Sequence, residues 1–470
     1  MFLVFFVASP TSRQNPEFHG EILLPPHYSL HPRPFPAALP AMSSTSLQAL
    51  PGFREFFPDA CAQRNYLFMH WRDVARTYGF LEYEGPVLEP TELYRRKSGD
   101  EIVKQLFHFT DAGGREVAMR PETTPTLARM AAAKHKELRK PVKWFQIGSC
   151  FRYERAQKGR GREFYQFNCD ILGEPSGAAD ADLIAMAIDV MRGLGFRQGD
   201  FVVRLSDRNV WLDFLEKAGI AAEHLPAFLQ IIDKMEREKP AVTEEHLTAL
   251  GTTRAAVDAF IAGQGAEWAP LQTLLKDLSA RGLSGFVSVD LGIVRGLAYY
   301  TGTVFEIFDI SKGMRAVAGG GRYDQLCKLV GGSDLPACGF AMGDMVIGDF
   351  VRETPHAHQQ YLEWLTNYGK IEAYVIIADE SRRADALAMV QGLRSAGIAT
   401  DYSYLPAKVG KQAQLAEQLG ARAALTIGSE FPEVRLKDLT ARTGEVIDAS
   451  AAAIAVSALL SSPGIPPLLA

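Results

Sequence analysis

Apolar residues follow two different spacings along the first half of the chain. From Ala60 to Phe80 they recur at helical intervals, and Gly79 is a typical helix stop. Further on, apolar and β-branched runs predict strands, of which Val142–Phe151 and Glu163–Leu172 are the longest. The expected order is helix 60–80, paired strands 104–109 and 116–120 around a turn at 112–114, helix 124–133, and strands 142–151 and 163–172.

The pattern changes after residue 207. Residues 208–284 are rich in Ala, Leu and Glu with helical periodicity, which predicts a helical insertion. Strand patterns then resume, and the triple glycine Gly319–Gly321 is typical of a turn. We expect strands at 286–291 and 304–309, a turn at 319–321, and a strand followed by a helix over 335–351.

The last third of the chain predicts a separate domain. Residues 353–370 are polar and aromatic, which indicates a linker. From residue 371 onward strand and helix patterns alternate, and Gly397 and Gly420 mark two helix ends. Because such alternation is typical of βαβ units on a parallel sheet, residues 371–470 are predicted to form a small α/β domain.

The N-terminal residues follow neither pattern. Met1–Val7 is apolar, but no Lys or Arg precedes it, so it makes a poor secretory signal. Residues 8–41 are rich in Pro and His, a composition that favours disorder. We expect residues 1–41 to be a disordered leader or a misassigned start, with the functional chain beginning near Met42. A cleaved targeting segment is the alternative.

Composition narrows the class of protein. The length of 470 residues suggests about three domains. A net charge of −5 argues against a protein held mainly by nonspecific phosphate contacts, but it leaves room for a local basic patch. No apolar run approaches the roughly 20 residues of a membrane helix, so no membrane association is expected. The five cysteines are scattered without a C-x-x-C pair, which favours free thiols in a cytoplasmic protein over disulfides or zinc.

The loop between the two longest strands concentrates positive charge. Residues 152–162 hold four arginines and one lysine. Because a guanidinium matches phosphate oxygens at two points, the loop could hold a nucleoside triphosphate, an RNA backbone, or both. An ordinary solvated hairpin tip is the alternative for this loop taken alone.

Three further segments combine residues suited to ligand binding. Arg120–Thr124 places a carboxylate and hydroxyls at a strand-to-helix junction, where they could bind an ammonium group or cap the helix. Val294–Gly302 sets an arginine among two glycines and two tyrosines, which fits a ligand clamp or a bulged strand with packed rings. Ala318–Asp324 holds three glycines whose backbone N–H groups could cradle a ligand. A P-loop pattern does not occur in the sequence.

In this order the segments resemble those of histidyl-tRNA synthetases, over nearly the whole chain from about Met42. Phe151–Phe164 (FRYERAQKGRGREF) looks like the family's motif 2. Val294–Glu306 (VRGLAYYTGTVFE) is similar to its histidine-binding signature, and Ala318–Asp324 (AGGGRYD) to its second signature. Residues 371–450 resemble its C-terminal anticodon-binding domain.

The resemblance implies a fold class as well as a function. It implies an α+β catalytic core, with a mostly antiparallel sheet of the class II synthetase type flanked by helices. A homodimer formed through the region of Pro86 is also implied. The expected domains are a catalytic core at 42–207 and 285–352, a helical insertion at 208–284, a linker at 353–370, and an α/β anticodon-binding domain at 371–470.

The implied reaction attaches L-histidine to tRNA(His) in two steps. ATP activates histidine to histidyl-adenylate with release of pyrophosphate, and the histidyl group then moves to the 3′ end of the tRNA. Mg²⁺ would enter with ATP, and no metal site in the protein itself is implied. The loop at 152–162 is expected to meet the acceptor end of the tRNA and residues 371–450 the anticodon.

The resemblance also assigns residues to ATP and to catalysis. Arg152 matches the residue at the α-phosphate, and Glu154 matches the residue that holds the adenine. Arg160 is assigned to ATP as well. The catalytic residues would be Arg152 and Arg295, of which Arg295 steadies the histidine carboxylate together with the α-phosphate. Since the reaction joins two anions, a fixed arginine between them would lower the barrier.

A second set is assigned to histidine. Its members would contact the amino group, the carboxylate or the imidazole ring. The amino group would be bound by Glu122, Thr124 and Gln166, and the imidazole nitrogens by Asp170 and Tyr300. Tyr299 and Arg295 complete the predicted histidine site. An acid and a tyrosine suit an imidazole, which offers one or two N–H donors.

The sequence departs from the family pattern at two positions. Asp170 stands where many relatives have the longer Glu. In Gly339–Ile347 (GFAMGDMVI), which looks like motif 3, the arginine expected at the ATP γ-phosphate falls at Val346. Either another cation replaces it, or ATP binds more weakly. The candidate replacements are Arg155, Arg160 and Arg322.

Val346 also leaves a second hypothesis open, a catalytically inactive, synthetase-like regulatory subunit of ATP phosphoribosyltransferase. Such a subunit shares the catalytic fold but typically lacks the C-terminal domain and the Arg295 signature. This chain has both features. A class II synthetase for another amino acid is disfavoured by the pair Tyr299–Tyr300.

Overall fold

The computed structural model describes residues 48–461, apart from 99, 155–156, 158, 236, 264–266, 296–298, 311–312, 314 and 333. The leader predicted at residues 1–41 lies outside the described residues.

The described chain alternates between strand-rich and helical stretches. Its helices are α1 Pro58–Thr77, α2 Thr91–Ser98, α3 Thr124–Lys134, α4 Gly177–Gly193, α5 Arg208–Lys217, α6 Leu225–Lys234, α7 Pro240–Ala249, α8 Arg254–Gly263, α9 Ala269–Ala280, α10 Leu326–Leu329, α11 Asp344–Glu353, α12 Pro355–Leu365, α13 Arg383–Ser395, α14 Val409–Gln418 and α15 Ala452–Ser461. Its strands are β1 Leu81–Glu82, β2 Leu88–Pro90, β3 His108–Thr110, β4 Glu116–Met119, β5 Val142–Phe151, β6 Glu163–Leu172, β7 Phe201–Asp207, β8 Val287–Val289, β9 Thr303–Asp309, β10 Ala318–Arg322, β11 Ala337–Gly343, β12 Ala373–Ile377, β13 Thr400–Tyr402, β14 Ala423–Ile427, β15 Glu433–Asp438 and β16 Thr443–Asp448. The predicted bounds of β5 and β6 are confirmed.

Most of the strands before residue 344 form one eight-stranded sheet. The strand order is β1-β5-β6-β11-β10-β9-β7-β8. The pairs β1–β5 and β7–β8 are parallel, and the five pairs between them are antiparallel. The prediction of a mostly antiparallel core sheet is therefore confirmed.

Alternation along the central strands gives this sheet two unlike faces. On β6 the apolar Phe167, Cys169 and Ile171 are buried in the main core. Trp71 of α1 stacks on Phe167 with ring centroids 5.4 Å apart, and α4 packs against the same face. Since successive side chains of a strand point to opposite sides, the polar residues of β6 face away from this core.

The turn predicted at Gly319–Gly321 is wrong, because these glycines lie inside strand β10. All of β10 is buried, and it pairs with β9 on one side and β11 on the other. A Cβ atom on Gly320 would overlap the carbonyl oxygen of Gly339 and the side chain of Phe340. The close approach of the neighbouring strand β11 therefore requires glycine here, although the composition suggests a turn.

A second correction concerns residues 104–109, which were predicted to be one strand. Asp100–Gln105 forms a 3₁₀ helix instead, and only His108–Thr110 pairs with β4. Strands β2, β4 and β3 make a small antiparallel sheet. The turn at 112–114 is as predicted, because the Asp111 carboxylate accepts hydrogen bonds from the backbone N–H groups of Gly113 and Arg115.

The predicted insertion at 208–284 is helical, from α5 to α9. The predicted linker at 353–370 holds helix α12, whose Ala357 and Tyr361 are buried in the main core. The ring of Tyr361 lies 5.2 Å from that of Tyr66 on α1. This segment is thus a packed helix, and the domain boundaries themselves stay predictions.

The C-terminal residues form a five-stranded sheet in the order β13-β12-β14-β15-β16. β12 pairs in parallel with β13 and β14, which confirms the predicted βαβ units. Gly397 (φ 81°) and Gly420 (φ 76°) follow helices α13 and α14 as expected. The antiparallel hairpin β15–β16 was not predicted. No helix in the described ranges is long and apolar enough to cross a membrane.

Candidate active site

Small residues form the floor of the polar face of the eight-stranded sheet. The register places Asn168 beside Ala341, Ala341 beside Gly319, and Gly319 beside Glu306. A Cβ atom on Gly319 would overlap the guanidinium of Arg295. One on Gly339 would overlap the Asp170 carboxylate. Because Gly319 and Gly339 carry no side chain, the Arg295 guanidinium and the Asp170 carboxylate have room directly over the strands.

A cleft of about 960 Å³ lies over this floor. It is bounded by the loop between β5 and β6 (residues 152–162, called the motif 2 loop below), by β6, β9 and β10, and by the start of α11. Ile232, Asp233 and Arg237 of the insertion also line it. Five of the predicted site residues line it, namely Arg152, Glu154, Arg160, Gln166 and Arg295. The sequence did not predict that the insertion contributes to this cleft.

The motif 2 loop returns on itself between β5 and β6. The Nε atom of Arg152 donates to the carbonyl oxygen of Pro121 at 3.1 Å, and its guanidinium lies 5.2 Å from the ring centre of Phe164. Arg160 and Glu154 form an ion pair at 2.9 Å. These contacts hold the base of the loop against the segment that precedes α3, and the side chains of Arg152 and Arg160 line the cleft.

Arg295 lies in an unusual backbone conformation with φ at 49°. Its Nη1 atom donates to the Glu306 carboxylate at 3.1 Å, and its Cζ atom lies 5.6 Å from the ring centre of Tyr300. Its Nε atom is buried and has no hydrogen-bond partner among the described residues. Burial raises the pKa of Glu306, while the charge of Arg295 opposes that rise. Glu306 is a functional residue that the sequence did not single out.

Asp170 lies in a buried cluster with three tyrosines. The hydroxyl of Tyr323 donates to its Oδ1 atom, while Oδ2 is buried without a hydrogen-bond partner in the described chain. Burial raises the pKa of Asp170 to about 7, and the Tyr323 hydrogen bond opposes the rise. The rings of Tyr299 and Tyr300 are 4.8 Å apart, and Tyr323 meets Tyr299 edge to face. Tyr323 had no predicted role, although it lies within the second signature.

Glu122, in the segment before α3, contacts the buried tyrosine cluster. The Tyr299 hydroxyl donates to Oε2 of Glu122 at 3.5 Å. Thr124 is the first residue of α3 and is half-buried. Thr123 is the N-cap residue, but its side chain makes no capping hydrogen bond, which weakens the capping alternative. Arg120 is buried and donates to the carbonyl oxygens of Ser149 and Gly85, so its role is structural.

Arg295 connects the two groups of residues. It lines the cleft and also contacts the ring of Tyr300, which belongs to the buried cluster. A ligand could therefore place an anionic group in the cleft beside Arg295 and a ring or amine near Asp170 and Glu122.

Val346 lines the cleft from the first turn of α11, and Gly159 of the motif 2 loop lies next to it. Of the candidate replacements, Arg160 lines the same cleft and Arg155 lies outside the described residues. Arg322 is wrong as a candidate. It points to the opposite face, where it forms a buried ion pair with Asp180 at 2.5 Å.

Neither disulfides nor a metal cluster are built into the described residues. All five cysteines are free, and four of them are buried. No three His, Cys, Asp or Glu side chains of the described chain are grouped to hold a metal ion.

Comparison with known proteins gives one consistent result. The sequence model of the histidyl-tRNA synthetase family matches residues 52–345. A protein of Opitutus terrae named histidine–tRNA ligase is 44% identical over 425 residues, which cover 85% of this chain and 95% of that protein. The chloroplastic/mitochondrial histidine–tRNA ligase of Arabidopsis thaliana is 38% identical over 74% of each chain.

Solved structures support the fold alone, because their sequence identities are low. The histidyl-tRNA synthetase of Nostoc sp. is 22% identical, with a TM-score of 0.71 over 88% of this chain and 99% of that one. A Bacillus halodurans structure titled as an ATP phosphoribosyltransferase regulatory subunit/histidyl-tRNA synthetase is 20% identical, with a TM-score of 0.62 over 79% of this chain and 97% of that one. The matched family model, the relatives that align over most of the chain and the shared fold together establish that this chain belongs to the histidyl-tRNA synthetase family.

Proposed function

We propose that the chain is a histidine–tRNA ligase, which activates L-histidine with ATP and transfers it to tRNA(His). The observation that carries this proposal is the position of Arg295, between a cleft lined by arginines and a buried cluster of Asp170 and tyrosines. Relatives named histidine–tRNA ligase at 44% and 38% identity support the same activity.

In the proposed mechanism, the arginines neutralise the anions that must meet. The histidine carboxylate attacks the α-phosphate of ATP, a bond forms between carboxylate oxygen and phosphorus, and pyrophosphate leaves. Arg152 contacts the α-phosphate from the base of motif 2, and Arg295 lies between phosphate and carboxylate. Both side chains are held by protein contacts before substrate arrives, so little reorganisation is needed in the transition state. Glu154 and Arg160 are proposed to hold the rest of the nucleotide.

The histidine side chain is proposed to enter the buried cluster. Asp170 has one oxygen occupied by Tyr323, and its second oxygen is without a hydrogen-bond partner in the described chain. That oxygen suits an imidazole N–H donor. Tyr300 would face the second ring nitrogen. Glu122, Thr124 and Gln166 are proposed for the amino group, and Tyr299 orients Glu122 through its hydroxyl.

We propose that Mg²⁺ enters with the phosphates of ATP rather than in a protein site of its own. A magnesium ion usually keeps several waters and takes one or two carboxylates plus phosphate oxygens. Glu306 is a carboxylate that lines the cleft on β9, and it fits that donor set. The ion would supply charge neutralisation at the phosphates.

We also propose partners and a location for the chain. Leu81, Val87 and Leu88 are large apolar residues near Pro86 that stay exposed, at 67%, 38% and 43%. A second copy of the chain covering them would explain this exposure, so we propose a homodimer through this region. The C-terminal α/β domain is proposed to bind the anticodon. The five free thiols fit a reducing cytoplasm.

The direct test is histidine-dependent exchange of radiolabelled pyrophosphate into ATP by the purified chain, followed by charging of tRNA(His). Exchange with histidine and with no other amino acid is the expected result. A folded protein that shows no exchange would contradict the proposal. That result would instead fit an inactive regulatory relative with the same fold.

A further inference from the structure

The cleft contains an arginine that the sequence resemblance does not assign. Arg315 lies on the segment between β9 and β10, two residues before Val317, whose backbone N–H bonds to Ile307. Its Nη2 atom donates to the side-chain oxygen of Gln157 on the motif 2 loop at 2.9 Å. The Arg315 guanidinium therefore lies in the cleft beside the motif 2 loop. Gly159 of the same loop lies next to Val346.

The arginines lining the cleft fall into two groups. Four of them form ion pairs with carboxylates: Arg160 with Glu154, Arg204 with Asp290, Arg237 with Asp233, and Arg295 with Glu306. Arg152 and Arg315 form no ion pair among the described residues. Since Arg152 is assigned to the α-phosphate, Arg315 is the cleft arginine of the described chain whose charge has neither a carboxylate partner nor an assigned substrate group.

Arg315 is also close enough to Arg160 for their charges to repel. Partial burial lowers the pKa of Arg315, the charge of Arg160 lowers it further, and the charge of Glu154 opposes both. The single carboxylate of Glu154 is set against these two guanidinium groups, so the pair keeps a net positive charge that attracts an anion. Helix α11 contributes the apolar Met345 and Val346 to the part of the cleft beside this loop.

We propose that Arg315, together with Arg160, binds the terminal phosphates of ATP in place of the motif 3 arginine that Val346 replaces. This inference rests on the proposed function, because it places ATP in the cleft with its α-phosphate at Arg152. The β- and γ-phosphates then lie toward the motif 2 loop, where Arg160 and Arg315 converge. The charge that motif 3 usually supplies from a helix comes here from the segment between two strands.

The test uses the full chain and measures KM for ATP and for histidine separately in pyrophosphate exchange. Arg315→Ala is expected to raise KM for ATP by about 10- to 100-fold, the size of one lost charge-assisted contact. KM for histidine should change less than about twofold. Arg315→Lys should recover part of the loss, because a lysine keeps the charge but not the fork. Arg76→Ala, at an exposed arginine of α1 that pairs with Asp73, is the matched control.

A rescue variant separates a direct role from a structural one. Restoring an arginine by Val346→Arg in the Arg315→Ala background should return KM for ATP toward the wild-type value. An unchanged KM for ATP in Arg315→Ala would overturn this inference while leaving the proposed function intact. Titration of ATP into both proteins by calorimetry decides the case if the wild type itself shows no exchange. Equal ATP affinity of wild type and Arg315→Ala would then overturn the role of Arg315.

Discussion

Each face of the eight-stranded sheet carries an arginine paired with a carboxylate. The two arginines differ in how many of their N–H groups are hydrogen-bonded within the protein. On the helix-packed face, Arg322 bonds to Asp180, to Asp324, and to the backbone oxygens of Glu174 and Ser176. On the cleft face, Arg295 has one ion-pair contact, to Glu306 at 3.1 Å, and its Nε atom has no hydrogen-bond partner in the described chain. An arginine whose N–H groups are bonded within the protein stabilises the fold. An arginine beside a cleft with an N–H group that lacks a partner in the described chain can also bind a ligand.

The largest expected effects come from removing these two arginines in turn. Arg322→Ala leaves Asp180 buried without its partner, so the free energy of unfolding should fall by about 3–5 kcal/mol. Arg295→Ala should lower the rate of histidine activation by about 10²–10³-fold, because it removes charge stabilisation in the transition state. Thermal unfolding and pyrophosphate exchange on both variants give the comparison.

The contrast between the faces predicts that Arg322→Ala loses mainly stability and that Arg295→Ala loses mainly activity. Arg295→Ala should stay folded at the assay temperature, since only Glu306 loses a partner and Glu306 borders the cleft. If Arg295→Ala activated histidine at the wild-type rate, the mechanism proposed for the cleft face would be wrong.

Two neighbouring glycines test the same contrast at the level of the backbone. A Cβ atom on Gly320 meets the backbone of Gly339 and Phe340, which cannot move aside, so Gly320→Ala should destabilise the fold by about 1–3 kcal/mol. A Cβ atom on Gly319 meets the guanidinium of Arg295, which is the movable end of a side chain. Gly319→Ala should therefore keep the fold and lose about 10- to 100-fold in activation rate.

Circular dichroism melting and exchange kinetics distinguish these outcomes. Each glycine serves as the control for the other, because the substitution is identical and the positions are adjacent. Equal losses of stability in both variants would remove the distinction between the two faces at β10.

The same glycines show what the sequence can and cannot predict. Local periodicity placed β5, β6 and α13, because each has a clear apolar spacing. It failed at Gly319–Gly321, since the need for glycine there arises from residues distant in sequence, Arg295 and Gly339. Composition alone cannot distinguish a glycine that permits a turn from one that permits close packing.

The site was predicted to a similar extent. The motif resemblance named Arg152, Arg295 and Asp170, and the fold brings each of them to the cleft or to the buried cluster beside it. Their partners were missed, because Glu306 and Tyr323 become significant only when the strands pair. Arg322 was a mistaken candidate for the γ-phosphate for the same reason. Its side chain on β10 points to the helix-packed face. Which side of a sheet a residue faces follows from register, which the sequence did not supply.

The imidazole end of the site gives a smaller expected effect. Asp170→Asn keeps the shape of the side chain and can still accept a hydrogen bond from Tyr323, but it removes the negative charge. KM for histidine should rise by about 10- to 100-fold, as expected for a hydrogen bond to a charged group. KM for ATP should stay within about twofold, because Asp170 lies outside the residues that line the cleft. Equal increases in both constants would argue against an imidazole role.

The smallest effect is a pH dependence that the same variant should abolish. Burial raises the pKa of Asp170 to about 7, so its carboxylate gains charge as the pH rises from 6 to 8. A group with that pKa passes from about one-tenth to about nine-tenths ionised over this range, which limits the change in histidine binding to about tenfold. Histidine has its own imidazole titration, but this cancels in the ratio of KM for Asp170→Asn to KM for the wild type.

That ratio should rise with pH and level off above about 8, since only the wild type gains an ionised acceptor. Stability should move in the opposite direction. The raised pKa means that the folded chain keeps a proton which the unfolded chain loses at a lower pH. Above the unfolded pKa, rising pH therefore weakens the wild-type fold relative to Asp170→Asn, up to about pH 7. A ratio that does not vary with pH would show that Asp170 does not titrate between pH 6 and 8, and the raised pKa would then not govern histidine binding.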